Sequence, residues 1–124
     1  MNRDLEIPLS MLIEETILNV IEYIKTKLES GFEFDNKIFP MSISDQVNYT
    51  NLLLLPKEVF PQKFTCIDYS TYEITFENKL LLYQASAQHK MSCEGLQSKI
   101  ISLIKNSNSN AEIIEIYKNY CIDK

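Results

Sequence analysis

Residues 72–104, YEITFENKLLLYQASAQHKMSCEGLQSKIISLI, read as one long helix with a start signal, no proline and a length of about 30 residues. In a chain of 124 residues, such a helix has to be the spine on which the rest packs. The rod itself is expected over residues 76–105. Thr75 would cap it, and Glu77 would sit in the first turn, where the helix dipole favours a carboxylate. Leu82, Ala85, His89, Cys93, Leu96, Ile100 and Leu103 fall on one stripe. Leu80, Tyr83, Ala87 and Met91 form a second stripe, confined to the first half. A helix apolar on two sides is expected to be sandwiched there and half-exposed further on, and that exposed second half is a candidate contact face.

Two other helices carry clear signals. Ser10 is a candidate N-cap for a helix over residues 11–29, whose apolar stripe is Ile13, Ile17, Val20, Ile21, Ile24 and Leu28. Gly31 suits the left-handed position just past its end. Ser109 with Glu112 makes a capping box for a last helix over residues 110–121, after a polar turn over residues 105–110. Its face is Ile113, Ile114, Tyr117 and Cys121.

Between these helices, FEFDNKIFPM reads as a short hairpin turning at Asp35-Asn36-Lys37. Ser42 or Ser44 then caps a helix through SDQVNYTNLLLL, which Pro56 ends. A proline-bounded loop over residues 56–63 leads to a strand over residues 64–68 and a turn over residues 68–71. With two glycines and four prolines, a turn-rich sandwich is disfavoured. The expected fold is mainly α (α+β): about four helices around one long central helix, with a small two- to three-stranded β element. One domain over residues 1–124 is expected, with an arm over residues 1–9.

Charge and cysteine usage narrow the partners. Residues 1–30 hold three basic and six acidic side chains, residues 31–75 the same, and residues 76–124 six basic and five acidic. No segment is basic enough to neutralise a phosphate backbone, so nucleic acid is not an expected ligand. No apolar run is long enough to span a bilayer, and the N-terminus does not read as a secretory signal. Cys66, Cys93 and Cys121 are widely spaced and read as reduced, small apolar residues of a protein made in the cytoplasm.

Chemistry has few candidates. His89 and Cys93, one helical turn apart, are the only enzyme-like pair, and no oxyanion arrangement accompanies them. A core or interface histidine is the plainer reading. With two glycines no phosphate cradle is available, and no cofactor, metal or small-molecule substrate is expected. Ten of the thirteen aromatic residues lie between Phe32 and Tyr83, as space-filling rings or as a ring-lined contact surface. Asp45, Gln46 and Asn48 open the second helix, where they either fix the preceding loop or recognise a partner.

The order of these pieces resembles an uncharacterised domain family of tail-fibre, baseplate and tail-associated proteins of tailed bacteriophages and prophages. The matching pieces are Gly31-Phe32, Phe39 with Ser42, Asp45-Gln46 with Asn48, Thr75, His89 and Glu112-Ile113, spread over about residues 12 to 118. The chain departs from the family in reading as freestanding and in having no tryptophan. The resemblance implies association with a virion and no enzymatic activity. The expectation is therefore a non-enzymatic bacteriophage structural or assembly protein that binds another virion (tail or head) protein or itself. A phage-encoded inhibitor of a host defence protein is the alternative, and a Cys/His hydrolase a distant one. The candidate interaction residues are Asp45, Gln46, Asn48, Tyr49, Phe60, His89, Ile100 and Tyr117.

Overall fold

The computed structural model describes residues 7–122. Most of the expected N-terminal arm therefore lies outside the described residues. The fold is mainly α with a small β component, as the sequence leads one to expect. Among the described residues, four α-helices, α1 (Leu9–Glu29), α2 (Ile43–Asn51), α3 (Lys79–Lys105) and α4 (Asn110–Cys121), accompany four short strands. The strands are β1 (Phe32–Phe34), β2 (Lys37–Phe39), β3 (Gln62–Thr65) and β4 (Thr71–Ile74). They form two separate antiparallel pairs, β1–β2 and β3–β4.

The chain divides into two compact units, one of residues 26–93 and one of the flanking segments. Among the described residues, the flanking unit consists of the first part of α1, the second half of α3, and α4. Its buried side chains include Val20, Ile24, Ile100, Ile104 and Ile113. The turn into α4 is fixed by side chains: Ser109 Oγ accepts from the Glu112 amide at 3.2 Å, and the Asn108 amide donates to Glu112 Oε1 at 2.6 Å. The box thus reaches back one residue further than its usual form.

Several expectations need correction here. Helix α1 starts before Ser10, because the Leu12 amide already donates to the Pro8 carbonyl, so Ser10 lies inside the first turn. Thr16, Val20 and Ile24 are its buried line, while Ile21 faces solvent. Ile114 on α4 is likewise exposed. The buried line of α1 keeps the i, i+4 spacing of one helix face, with Val20 and Ile24 from the expected stripe and Thr16 in addition.

The unit of residues 26–93 holds the β structure and most of the rings. Gly31, at φ +104°, ends α1 and turns the chain into β1. Asp35 and Asn36 both take positive φ, as a two-residue hairpin turn requires, so Lys37 belongs to β2 and not to the turn. Ser42 is the N-cap of α2, accepting from the Asp45 amide while Asp45 Oδ2 accepts from the Ser42 amide. The helix gives way to a 3-10 turn at Leu52–Leu54 before Pro56. The core is Phe32, Phe39, Met41, Tyr49, Leu52, Cys66, Ile74 and Leu82. Within it Phe32 meets Phe39 at 5.7 Å and Tyr49 edge-on at 5.4 Å.

The main departure lies in residues 71–74, which form β4 and not the start of the long helix. Tyr72 and Ile74 turn inward while Thr71 and Glu73 face out, the alternation of a half-buried strand. Pairing with β3, which itself begins at Gln62 and ends at Thr65, outweighs the helical reading. Thr75 and Asn78 then bond each other's amides through their side chains, and α3 starts at Lys79 and runs 27 residues. Glu77 precedes its first turn. The second stripe of α3 is not sandwiched: Leu80 and Met91 are exposed.

Candidate functional site

A groove of about 640 Å³ lies between α2 and β3 of this unit. One wall is Asp45, Asn48 and Asn51 of α2; the other is the consecutive run of residues 62–67. Side chains of a strand alternate between faces, so a groove lined by all four residues of β3 in succession runs along the strand's edge. Tyr49, Leu52 and Phe64 line it from the core side, with the Tyr49 and Phe64 rings stacked at 5.4 Å.

Local sequence explains how each wall is held. The box between Ser42 and Asp45 fixes the start of α2, and Gln46 Nε2 donates to the Met41 carbonyl at 3.2 Å. Tyr49 is buried and its hydroxyl donates to the Pro40 carbonyl at 2.6 Å. Burial, with help from Asp45 and Cys66, pushes that hydroxyl's pKa well above its ordinary value. On the far wall the Ile67 amide donates to the Ile38 carbonyl at 2.9 Å, tying the end of β3 to β2.

The rim carries Tyr69. It sits in the turn between β3 and β4 at φ 68°, its amide donating to the Cys66 carbonyl at 2.9 Å. A three-residue hairpin loop places its last residue in this left-handed region, where glycine or asparagine is favoured. Here a tyrosine occupies it with 89% of its surface exposed. The loop is locked by Asp68 Oδ1, which accepts from the Ser70 amide at 3.0 Å and from its hydroxyl at 2.5 Å. These bonds from Ser70, with Lys37 3.6 Å away, hold the Asp68 carboxyl below its usual pKa.

Of the residues singled out from sequence, the structure brings Asp45, Asn48 and Tyr49 together in this groove. Gln46 lies instead beside the exposed Ile43 and Val47 on another side of α2. Phe60 packs edge-on against Phe76 at 5.6 Å, with Lys79 Nζ 4.2 Å above the Phe76 ring. Tyr117 is half-buried on α4, and Ile100 is fully buried, so Ile100 presents no contact surface. The exposed residues of the second half of α3 include the polar Glu94, Ser98, Lys99 and Ser102 together with Leu103. Tyr69, Lys63 and Thr65 were not signalled by sequence. The one trace was the short DYS turn, which by itself reads as a plain loop.

His89 and Cys93 meet differently from a catalytic pair. His89 Nε2 lies 3.0 Å from the Leu28 carbonyl and 4.0 Å from Cys93 Sγ. A carbonyl only accepts, so Nε2 carries a proton and donates it there. The nitrogen nearest the thiol therefore has no lone pair with which to take the thiol's proton. Cys93 is itself buried, and the His89 ring leans on Phe32 at 6.2 Å. Among the described residues no cluster of three or more His, Cys, Asp or Glu could hold a metal, and no helix is long and apolar enough to cross a membrane.

Compared with known proteins, the chain matches no protein-family model, no curated protein and no solved structure.

Proposed function

We propose that this is a non-enzymatic binding protein that works in a bacteriophage particle or its assembly, seating a segment of another virion protein in the groove between α2 and β3. The virion setting is supported by the order of sequence motifs that resembles the tail-associated family. The binding chemistry is supported by the groove, and above all by Tyr69. An L side chain held in the left-handed region costs roughly 1–2 kcal/mol relative to glycine, and such strain gathers where function requires it. Tyr69 gives nothing back through burial. Its use is as an exposed aromatic anchor beside a concavity, the kind of residue that carries binding energy when a partner covers it.

The test is Tyr69→Gly. The variant is expected to be more stable by about 1 kcal/mol, since it relieves the turn, and yet to bind its partner at least about tenfold more weakly. The partner is identified by mass spectrometry of purified particles after cross-linking through Lys63 on the groove wall. Absence of the chain both from purified particles and from their assembly intermediates would refute the virion setting. A Tyr69→Gly variant that binds as well as the parent would refute the groove as the docking site.

A further inference from the structure

We infer that the groove takes an extended peptide segment of its partner as an added β-strand, paired along the free edge of β3. This rests on the groove being the docking site and adds what is recognised: main chain in an extended conformation.

The edge can be read from the ladder. The Cys66 amide donates to the Ser70 carbonyl at 2.8 Å, so these two residues, joined by this one bond, mark a hydrogen-bonding position of the ladder. Such pairs alternate along an antiparallel ladder, which makes Phe64 with Tyr72 and Gln62 with Ile74 the next ones in the observed register. Lys63 and Thr65 therefore turn their N–H and C=O groups away from β4, toward the edge that borders the groove. The same edge is already used once, by the Ile67 amide on the Ile38 carbonyl. Pro40, which follows β2 and lines the groove, has no amide with which to continue that pairing. Two donors and two acceptors thus stand open along β3.

The opposite wall completes the fit. An extended chain has polar groups on both its edges, and a strand added to β3 would present the second edge to α2. There Asn48 and Asn51 line the groove, and neither side-chain amide is engaged in a hydrogen bond among the described residues. Each amide offers a donor and an acceptor, the pair needed by a peptide group. A strand laid between sheet edge and helix in this way gains affinity from main-chain bonds and selectivity from alternate side chains. The helix wall favours a single extended segment over a second copy of the β3–β4 hairpin, because the outer strand of a second hairpin would have to occupy the place of α2.

The experiment uses a displayed library of random heptapeptides selected on the whole protein, followed by a synthetic peptide of the most enriched sequence. Binding should shift the backbone amide resonances of Lys63 and Thr65, which in the free protein should exchange rapidly with solvent. Thr65→Pro removes an outward N–H on an edge strand, where proline is tolerated, and should weaken binding about tenfold while the protein stays folded. Should that variant fail to fold, a peptide N-methylated at alternate residues is the second measure and should lose binding in one of its two registers. Slow exchange of the Lys63 and Thr65 amides in the free protein would overturn the inference. Binding that is lost on Tyr69→Gly but untouched by Thr65→Pro and by N-methylation would overturn strand addition and leave the groove reading standing. A library that enriches no sequence over the Tyr69→Gly protein would count against both.

Discussion

The two glycines of this chain should respond to alanine with opposite signs. At Gly31, φ is +104° and a Cβ would lie 2.5 Å from the Phe39 carbonyl oxygen, 2.9 Å from Ile67 Cδ1 and 3.0 Å from Ile38 Cγ2. The left-handed backbone alone costs about 1–2 kcal/mol. The nearest clash is with backbone, which cannot rotate away as a side-chain end can, and overpacking of this kind adds roughly 1–3 kcal/mol. Gly31→Ala should therefore lose about 2–5 kcal/mol. Gly95 lies within α3 with nothing within 4 Å of a Cβ, so Gly95→Ala should gain about 0.5–1 kcal/mol from helix propensity. Urea unfolding followed by far-ultraviolet circular dichroism measures both, read from midpoints at an unchanged slope. Because Phe39 and Ile38 belong to β2, and Ile38 holds the end of β3, Gly31→Ala should also disturb the groove. A Gly31→Ala protein within about 0.5 kcal/mol of the parent would refute the account of how α1 is joined to the hairpin.

Three further outcomes follow from the same geometry. Tyr49→Phe keeps the ring contacts but leaves the Pro40 carbonyl without its 2.6 Å bond, and should cost about 1–3 kcal/mol in the same unfolding assay; a loss near zero would mean that water replaces the hydroxyl. Tyr72 donates to Asp35 Oδ2, which together with burial pushes its hydroxyl from 10.0 up to about 12. The neutral form is favoured in the folded state, so this stabilisation is complete below pH 10.0 and is lost as pH rises toward about 12. Tyr72→Phe should flatten that alkaline decline, and an unchanged decline would count against the bond. Cys66 and Cys93 are each 2% exposed, so iodoacetamide should label them only as fast as the protein opens; rapid labelling of Cys93 alone would revive the thiol chemistry that the His89 geometry disfavours.

What was legible in the sequence was local. Ser42 with Asp45, Ser109 with Glu112, and Gly31 after a long apolar stripe each fix an end of a helix through bonds made within a few residues, so spacing alone reveals them. Asp45, Asn48 and Tyr49 could be picked out because they cluster near one helix start. The rest of the groove could not. Residues 71–74 have little preference that local spacing can settle, and they become a strand only because residues 62–65 lie beside them. The left-handed turn at Tyr69 exists because that pairing closes a loop over it.

By itself, then, the sequence determined that four helices form, the caps of α2 and α4, and an apolar middle rich in rings, all consequences of periodicity and of short-range hydrogen bonding. Tertiary structure alone decided which strand edge stays open, which aromatic is left in water and which is buried, and that His89 spends its proton on the Leu28 carbonyl. The strand edge depends on partners 6 to 12 residues away and His89 on one 61 residues away, and no local spacing encodes them.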